Sequence, residues 1–102
     1  MPGLLSKSCD IMIWVKKHGE VLAACDESIL DEIFEEGELC MQVKKSFYAE
    51  ELVDESGFRE LLRESDNINI IGKEAVRIAV EEGLVKATKS IEAVPYAIII
   101  KI

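Results

Sequence analysis

The clearest alternation of apolar and polar positions lies between residues 67 and 85. The β-branched run Ile68–Ile71 predicts a short strand covered on both faces. Gly72 then predicts a tight change of direction, and Gly83 predicts the end of the helix between them. The apolar face of that helix is predicted to contain Val76, Ile78, Ala79 and Val80. Its polar face, at spacings that suit ion pairs, contains Lys73, Glu74, Arg77 and Glu81.

The first part of the chain predicts a β-hairpin followed by a helix. Ile11–Val15 and Val21–Cys25 are short apolar strands, and Lys16–Gly19 supplies the turn. Asp26 is the expected N-cap of the next helix, because its carboxylate can accept from unpaired N–H groups. That helix would end at Gly37, and its apolar face would contain Ile29, Leu30, Ile33 and Phe34.

The remaining segments complete the pattern. The alternation over Glu38–Lys44 predicts a half-buried strand. An acidic link follows at residues 50–55. A helix is predicted over Glu55–Ser65, with Phe58, Leu61 and Leu62 buried. Lys86–Ser90 is expected to be a polar loop. Pro95 starts a last strand, and its apolar run Tyr96–Ile100 predicts a central, doubly covered strand. The fold class is therefore mixed α+β, in the order β-β-α-β-α-β-α-β, with helices packed on a mixed sheet.

Length and charge narrow the class of protein. The 102 residues form one domain, 1–102, in which 1–9 is a loose lead-in. The net charge of -8 repels free nucleic acid. No apolar run approaches the roughly 20 residues of a membrane span, and nothing indicates a secretion signal, so a cytoplasmic location with three reduced cysteines is expected. One Gln, two Asn and many charges suggest a thermophilic source.

Several short runs together resemble one family of small archaeal proteins, the domain-of-unknown-function 424 family. The runs are Ala24-Cys25-Asp26, Phe47-Tyr48, Asn69-Ile70-Ile71-Gly72, Glu81-Glu82-Gly83-Leu84-Val85 and Val94-Pro95-Tyr96-Ala97. The resemblance covers about Ile11 to Ile102. It implies a small mixed fold in the archaeal cytosol and an association with translation, and it implies no catalytic residue. Family members often have His after Val-Pro, where this chain has Tyr96, which argues against acid–base chemistry there.

Two sets of residues that include cysteines are candidate sites of chemistry. One set has the residue types of a zinc site, namely Cys9, His18, Cys25 and Cys40, but it contains no Cys-x-x-Cys pair. The better interpretation is that Cys9 and Cys25 are core residues and that His18 lies in a turn. Cys25 at a helix start could be a nucleophile, although the charge of Asp26 would oppose a thiolate. The sequence indicates no metal and no cofactor.

The leading hypothesis is a non-enzymatic adaptor that binds a protein or a ribonucleoprotein assembly, because no catalytic set is apparent. The alternative is a ligand-binding protein or enzyme with a site near the strand–helix junction, where Lys73 could face an anion.

Candidate binding residues at element boundaries are Asp26, Tyr48, Asn69, Gly72, Lys73 and Tyr96. Asn69 is expected to be buried and to hold a neighbouring loop. RNA binding through Lys16, Lys17, Lys44 and Lys45, with Trp14 or Phe47 stacking on bases, is the weakest reading. No membrane partner is expected, and homo-oligomers are left open.

Overall fold

A six-stranded mixed sheet forms the centre of the fold. The structure is a computed structural model that describes residues 11–85 and 88–101, so the lead-in and part of the loop at 86–90 lie outside it. The strands are β1 (Met12–His18), β2 (Val21–Asp26), β3 (Ile33–Glu36), β4 (Leu39–Gln42), β5 (Glu51–Asp54), β6 (Asn67–Ile71), β7 (Lys89–Ile91) and β8 (Val94–Ile100). The helices are α1 (Lys45–Tyr48), α2 (Glu55–Glu64) and α3 (Lys73–Glu81).

The strand order in the large sheet is β5-β1-β2-β6-β8-β7. Only β2 and β6 run parallel, while all other neighbours are antiparallel. The predicted α+β class, with its mixed sheet and N-terminal hairpin, is confirmed. The hairpin differs in one respect: β1 continues to His18, so Lys16 and Lys17 lie in a strand and the turn contains only Gly19 and Glu20.

One face of the sheet packs against α2 and α3. Alternate strand residues point to this face, among them Ile13, Leu22 and Ile70, and they meet Phe58 of α2 and Ile78 of α3 in the main core. The residues of α3 that are buried are Ala75, Val76, Ile78 and Ala79. Val80 was expected there but is 48% exposed, since it lies at the margin of the apolar face. Gly83, at φ +77°, ends the helix as predicted.

The opposite face is covered by smaller elements. A single 3₁₀ turn (Glu27–Ile29) follows β2, and then β3 and β4 pair as a separate two-stranded sheet. The helix predicted to end at Gly37 is therefore wrong. Asp31, at φ +71°, leaves the helical region, and Phe34 pairs with Met41 so that both pack onto this face. Two short, largely exposed strands, which pack on the sheet through Phe34 and Met41, replace one amphipathic helix.

Three further segments differ from the expectation. The acidic link contains β5, which pairs with β1 at the sheet edge. The polar loop contains β7, which pairs with the first half of β8. β8 is not doubly covered, since Ile98 and Ile100 are 70% and 64% exposed on the face opposite the helices. Within the ranges described, no helix is long and apolar enough to cross a membrane.

A network of ion pairs joins α2 to α3 across the surface of the helical layer. The guanidinium of Arg59 contacts Glu55 and Glu81 at 2.5 Å and Glu82 at 2.9 Å. Arg77 contacts Glu81 at 2.7 Å and also reaches Glu55, so the two arginines share two carboxylates. Hydrogen bonds from Arg59 and Arg77 lower the pKa of Glu55 and Glu81, and hydrogen bonds from Arg63 and Arg59 lower the pKa of Glu82. The network therefore favours the folded state when these carboxylates are ionised.

Replacement of Arg59 with Gln is expected to lower the melting temperature near neutral pH. Because the glutamates have a lowered pKa in the folded state, this stabilisation is present above their ordinary value of 4.5 and is lost as the pH falls further. The gap between wild type and Arg59→Gln should therefore narrow on acidification, as measured by circular dichroism melts. Arg63→Gln, which removes contacts to Glu82 alone, is the matched control and should show a smaller gap. A gap that stays constant across this pH range would contradict the assignment.

Candidate functional site

The carboxylate of Asp26 binds the start of α3. One oxygen accepts from the backbone N–H of Glu74 at 2.9 Å, and the other accepts from that of Ala75 at 2.8 Å. These are the second and third residues of the helix, whose N–H groups have no partner within it. The prediction that Asp26 caps the segment that follows it is wrong, since its side chain makes no cap hydrogen bond there. Its carboxylate instead caps α3 from outside that helix, whose own N-cap residue is Gly72. The parallel pairing of β2 with β6 brings the two together.

Gly72 permits this close approach. Its φ is +121°, which residues with a side chain rarely adopt. A Cβ atom placed on Gly72 would lie 2.4 Å from the carboxyl group of Asp26. The backbone N–H of Gly72 also donates to the carbonyl of Pro95 in β8 at 2.9 Å. Three strands and a helix therefore meet at this glycine.

The anion site considered at Gly72 and Lys73 is occupied by the protein's own carboxylate. The N–H groups that a phosphate would use already donate to Asp26, which is buried at 7% exposure. Burial raises the pKa of Asp26, while the two N–H donors and Arg77 oppose that effect. Lys73 is exposed beside this junction. The geometry supports a structural connection between strand and helix.

Tyr48 and Tyr96 lie on the other face of the sheet, away from Asp26. Both belong to the smaller core that also contains Cys25 and Ile71. Burial raises the pKa of Tyr48 to about 12, and burial with the nearby charge of Asp26 raises the pKa of Cys25 to about 12. A thiol of this kind is protonated at neutral pH, so the structure does not favour a nucleophilic Cys25. Tyr96 lines a shallow depression of about 270 Å³ with Lys89, Ala97 and Ile98.

Asn69 lies on the same face of the sheet as Tyr96, because it is two residues before Ile71, the partner of Tyr96. It is only partly buried, in the middle of β6, where it is flanked by Ala23 of β2 and Ile98 of β8. The expectation that it is buried is wrong, and its side chain makes no hydrogen bond to the rest of the described chain. The six predicted residues thus divide into two groups, with Asp26, Gly72 and Lys73 at the start of α3 and Tyr48, Asn69 and Tyr96 on the other face of the sheet.

The candidate metal ligands are dispersed over the described part of the chain. Cys25 is buried and Cys40 is exposed on β4, whereas Cys9 lies outside the described residues. His18 stacks on Phe47 with ring centroids 4.4 Å apart, and its Nε2 is 2.8 Å from the carbonyl oxygen of Phe47. Residues 11–85 and 88–101 contain no group of three possible ligands.

The basic residues do not form one surface with a free aromatic ring. Lys16 and Lys17 are successive residues of β1, so their side chains leave opposite faces of the sheet. The ammonium of Lys16 donates to the carbonyl of Ser46 at 2.8 Å. Phe47, the proposed stacking group, is already stacked by His18, and Trp14 packs into the smaller core. These contacts weigh against base stacking.

The sequence did not indicate the surface formed by β3 and β4, here called the acidic hairpin (residues 31–42). It contains five exposed carboxylates, which are Asp31, Glu32, Glu35, Glu36 and Glu38. Ile33 and Leu39 are 54% and 45% exposed among them. Glu92, in the β7–β8 turn, accepts from the backbone N–H of Glu35 at 2.5 Å and donates its own N–H to Glu36 at 2.8 Å. The acidic run alone could not reveal this contact across the fold.

The fold and its junctions define a small mixed α+β protein with a tightly connected sheet and an exposed acidic hairpin. The chain belongs to the family described as protein of unknown function (DUF424), whose model matches residues 14–102. This confirms the resemblance drawn from the short runs. The fold is similar to that of an uncharacterized conserved protein from Methanopyrus kandleri, with a TM-score of 0.68 and 22% identity over 89% of this chain and 94% of that one. No protein of curated function matches the chain.

Replacement of Asp26 with Ala is expected to destabilise the fold by about 2 kcal/mol, because a helix cap is lost. Asp26→Asn, which keeps one acceptor oxygen, should lose less. Asp54→Ala is the matched control, since Asp54 caps α2 through a single exposed bond to the N–H of Gly57. Urea unfolding followed by circular dichroism measures all three. A loss for Asp26→Ala no larger than that of Asp54→Ala would contradict the role assigned to Asp26.

Cys25 is expected to react slowly with iodoacetamide at neutral pH in the folded protein. Its thiol is buried and its pKa is about 12, whereas Cys40 is exposed and should react faster. Peptide-resolved mass spectrometry separates the two rates, and labelling in denaturant, where they should converge, is the control. Labelling of native Cys25 as fast as that of Cys40 would restore it as a candidate nucleophile.

Proposed function

We propose that the protein is a non-enzymatic binding module that engages a basic protein surface, either free or within a ribonucleoprotein assembly in the cytoplasm. The observation that carries the proposal is the acidic hairpin. It places five carboxylates and two exposed apolar side chains on, and directly beside, a pair of strands outside the main sheet. An apolar contact surrounded by charge is typical of a surface that recognises a partner of opposite charge.

The way the hairpin is held supports this role. Its inner side chains, Phe34 and Met41, pack onto the sheet, and Glu92 ties its backbone to the β7–β8 turn. A two-stranded hairpin by itself is marginal in water, so these contacts keep the acidic surface in one shape. A surface that is ordered before it meets its partner loses less conformational entropy on binding.

The alternative, a ligand or catalytic site at the junction of β6 and α3, receives less support. The carboxylate of Asp26 is committed to two backbone N–H groups, and its position fills the space beside Gly72. Tyr96 and Asn69 face away from that carboxylate. A substrate would have to displace a helix cap to reach the same groups.

The test is affinity purification from cells of the source organism at low and raised salt. The wild-type protein should retain a reproducible basic protein, and raised salt should weaken its retention because it screens exposed charges. Replacement of Glu32, Glu35 and Glu38 with Lys should abolish retention, while Glu36 is left intact because it accepts from the N–H of Glu92.

The matched control reverses three exposed glutamates elsewhere, Glu20, Glu60 and Glu64, which gives the same change of net charge. This variant should keep most of the retention. Equal loss in the two variants would mean that only the overall charge matters. The absence of any reproducible basic partner for the wild-type protein would overturn the proposal.

A further inference from the structure

The turn between β7 and β8 has an unusual backbone conformation for the residues it contains. In the described ranges, the β1–β2, β3–β4 and β7–β8 turns each contain two residues. The first two have glycine at positive φ, Gly19 at +60° and Gly37 at +63°. The third has Glu92 at +50° and Ala93 at +67°. Positive φ at both central residues is typical of a type I′ turn, for which Asn-Gly is preferred. The β7–β8 turn therefore has a conformation that its own residues disfavour.

The two ends of this turn are fixed by packing. Ile91, the last residue of β7, is fully buried, and Val94, the first residue of β8, packs into the smaller core. These two residues are paired, so the chain has only Glu92 and Ala93 with which to reverse its direction. A side chain at positive φ is crowded against its own backbone, and such strain persists only where surrounding contacts outweigh it. The turn is thus a fixed part of the main sheet.

Glu92 makes two hydrogen bonds from this turn to the acidic hairpin. The N–H of the first central residue of a two-residue turn has no partner within the turn. The N–H of Glu92 donates to Oε1 of Glu36 at 2.8 Å. In return, Oε2 of Glu92 accepts from the backbone N–H of Glu35 at 2.5 Å. Because two directional bonds connect neighbouring residues, they fix an orientation as well as a distance.

The N–H of Glu35 lies on the outer edge of β3. Glu36 and Leu39 flank the β3–β4 turn and form a hydrogen-bonded pair. The next pair, Glu35 with Cys40, is then a non-hydrogen-bonded pair, so the N–H of Glu35 points away from β4. The carboxylate of Glu92 takes the place that the carbonyl of a neighbouring strand would have. The two sheets are therefore connected at this edge through side chains.

The contact with Glu92 lies where it controls the angle of the hairpin. Buried Val43 anchors the base of the hairpin through backbone hydrogen bonds to residues 31 and 32. Phe34 and Met41 hold the hairpin on the sheet by apolar packing, which has no preferred direction. Glu92 makes its contact at the opposite end from the base, beside the β3–β4 turn.

We propose that Glu92 is a positioning residue that sets the orientation of the acidic hairpin relative to the main sheet. The anchored ends of the β7–β8 turn hold Glu92 in place, and its two hydrogen bonds hold the hairpin. The consequence for binding rests on the proposed function. A hairpin with one orientation presents its carboxylates to a basic partner at a constant spacing, so less conformational freedom is lost on binding.

Two double variants separate the reach of the Glu92 side chain from its charge. Both contain Ala93→Gly, which suits positive φ and so keeps the turn. One adds Glu92→Gln, whose amide oxygen can still accept from the N–H of Glu35. The other adds Glu92→Asn, whose side chain is one methylene shorter and cannot reach that N–H. The two variants have the same net charge, so each is the matched control for the other.

Amide exchange and residual dipolar couplings of the free protein test the proposal. The N–H of Glu35 should exchange about tenfold faster in the Glu92→Asn variant than in the Glu92→Gln variant, because a hydrogen bond is lost. The N–H of Val94, within the β7–β8 pair, should exchange equally in both. The couplings of β3 and β4 should fit one orientation in the wild-type protein and the Glu92→Gln variant, and should be reduced in the Glu92→Asn variant.

Equal exchange of the Glu35 amide and equal couplings in the two variants would overturn the proposal, since apolar packing alone would then orient the hairpin. A wild-type Glu35 amide that exchanges as fast as an unstructured amide would also overturn it. This last measurement does not depend on the folding of a variant.

Affinity purification from cells tests the link to binding separately. The Glu92→Asn variant should retain about threefold less of the basic partner than the Glu92→Gln variant, because its hairpin is not ordered before binding. Equal retention would overturn the role of Glu92 in binding and leave the proposed function standing. If the wild-type protein retains no basic protein, the proposed function fails, while exchange and couplings still decide whether Glu92 orients the hairpin.

Discussion

The carboxylate of Asp26 is the contact on which this structure depends. It accepts from two N–H groups at the start of α3, and Gly72 is the residue that leaves room for it. Through this contact the second strand, the third helix and the parallel strand before that helix are held together. The desolvation of this buried carboxylate is partly offset by its two hydrogen bonds and by the helix dipole. The same contact removes the most obvious polar group from any ligand site.

The two faces of the sheet are covered in different ways, and this difference determines which side chains are exposed. On one face, α2 and α3 bury the main core and are joined by arginine–glutamate pairs. On the other face, short elements cover the region around Ile71, while Ile98 and Ile100 remain exposed. The acidic hairpin and the exposed isoleucines of β8 both lie on this second face. The exposed groups on this face are therefore of two kinds, charged on the hairpin and apolar on β8.

Much of the fold could be predicted from the sequence where local pattern and tertiary packing agree. α3 lies between Gly72 and Gly83, as expected, and Phe58 and Leu62 are buried residues of α2. The error at residues 27–36 arose because Ile29, Leu30, Ile33 and Phe34 also fit a helical spacing. Pairing of Phe34 with Met41 and burial of both against the sheet favour strands instead, and no local pattern contains that contact. The candidate site was predicted only in part, since Asp26 is a cap whose partner lies 48 residues away.

The sequence by itself determined the α+β class, the acidic net charge, the family and the positions of most helices and strands, because periodicity and turn residues are local properties. Tertiary structure alone decided which helix Asp26 caps, which face of β8 is exposed, and that the acidic run folds as a hairpin held by Glu92. Each of these depends on strand order, which brings distant residues together. Strand order follows from how the whole set of apolar faces can be buried at once, and no single segment specifies it.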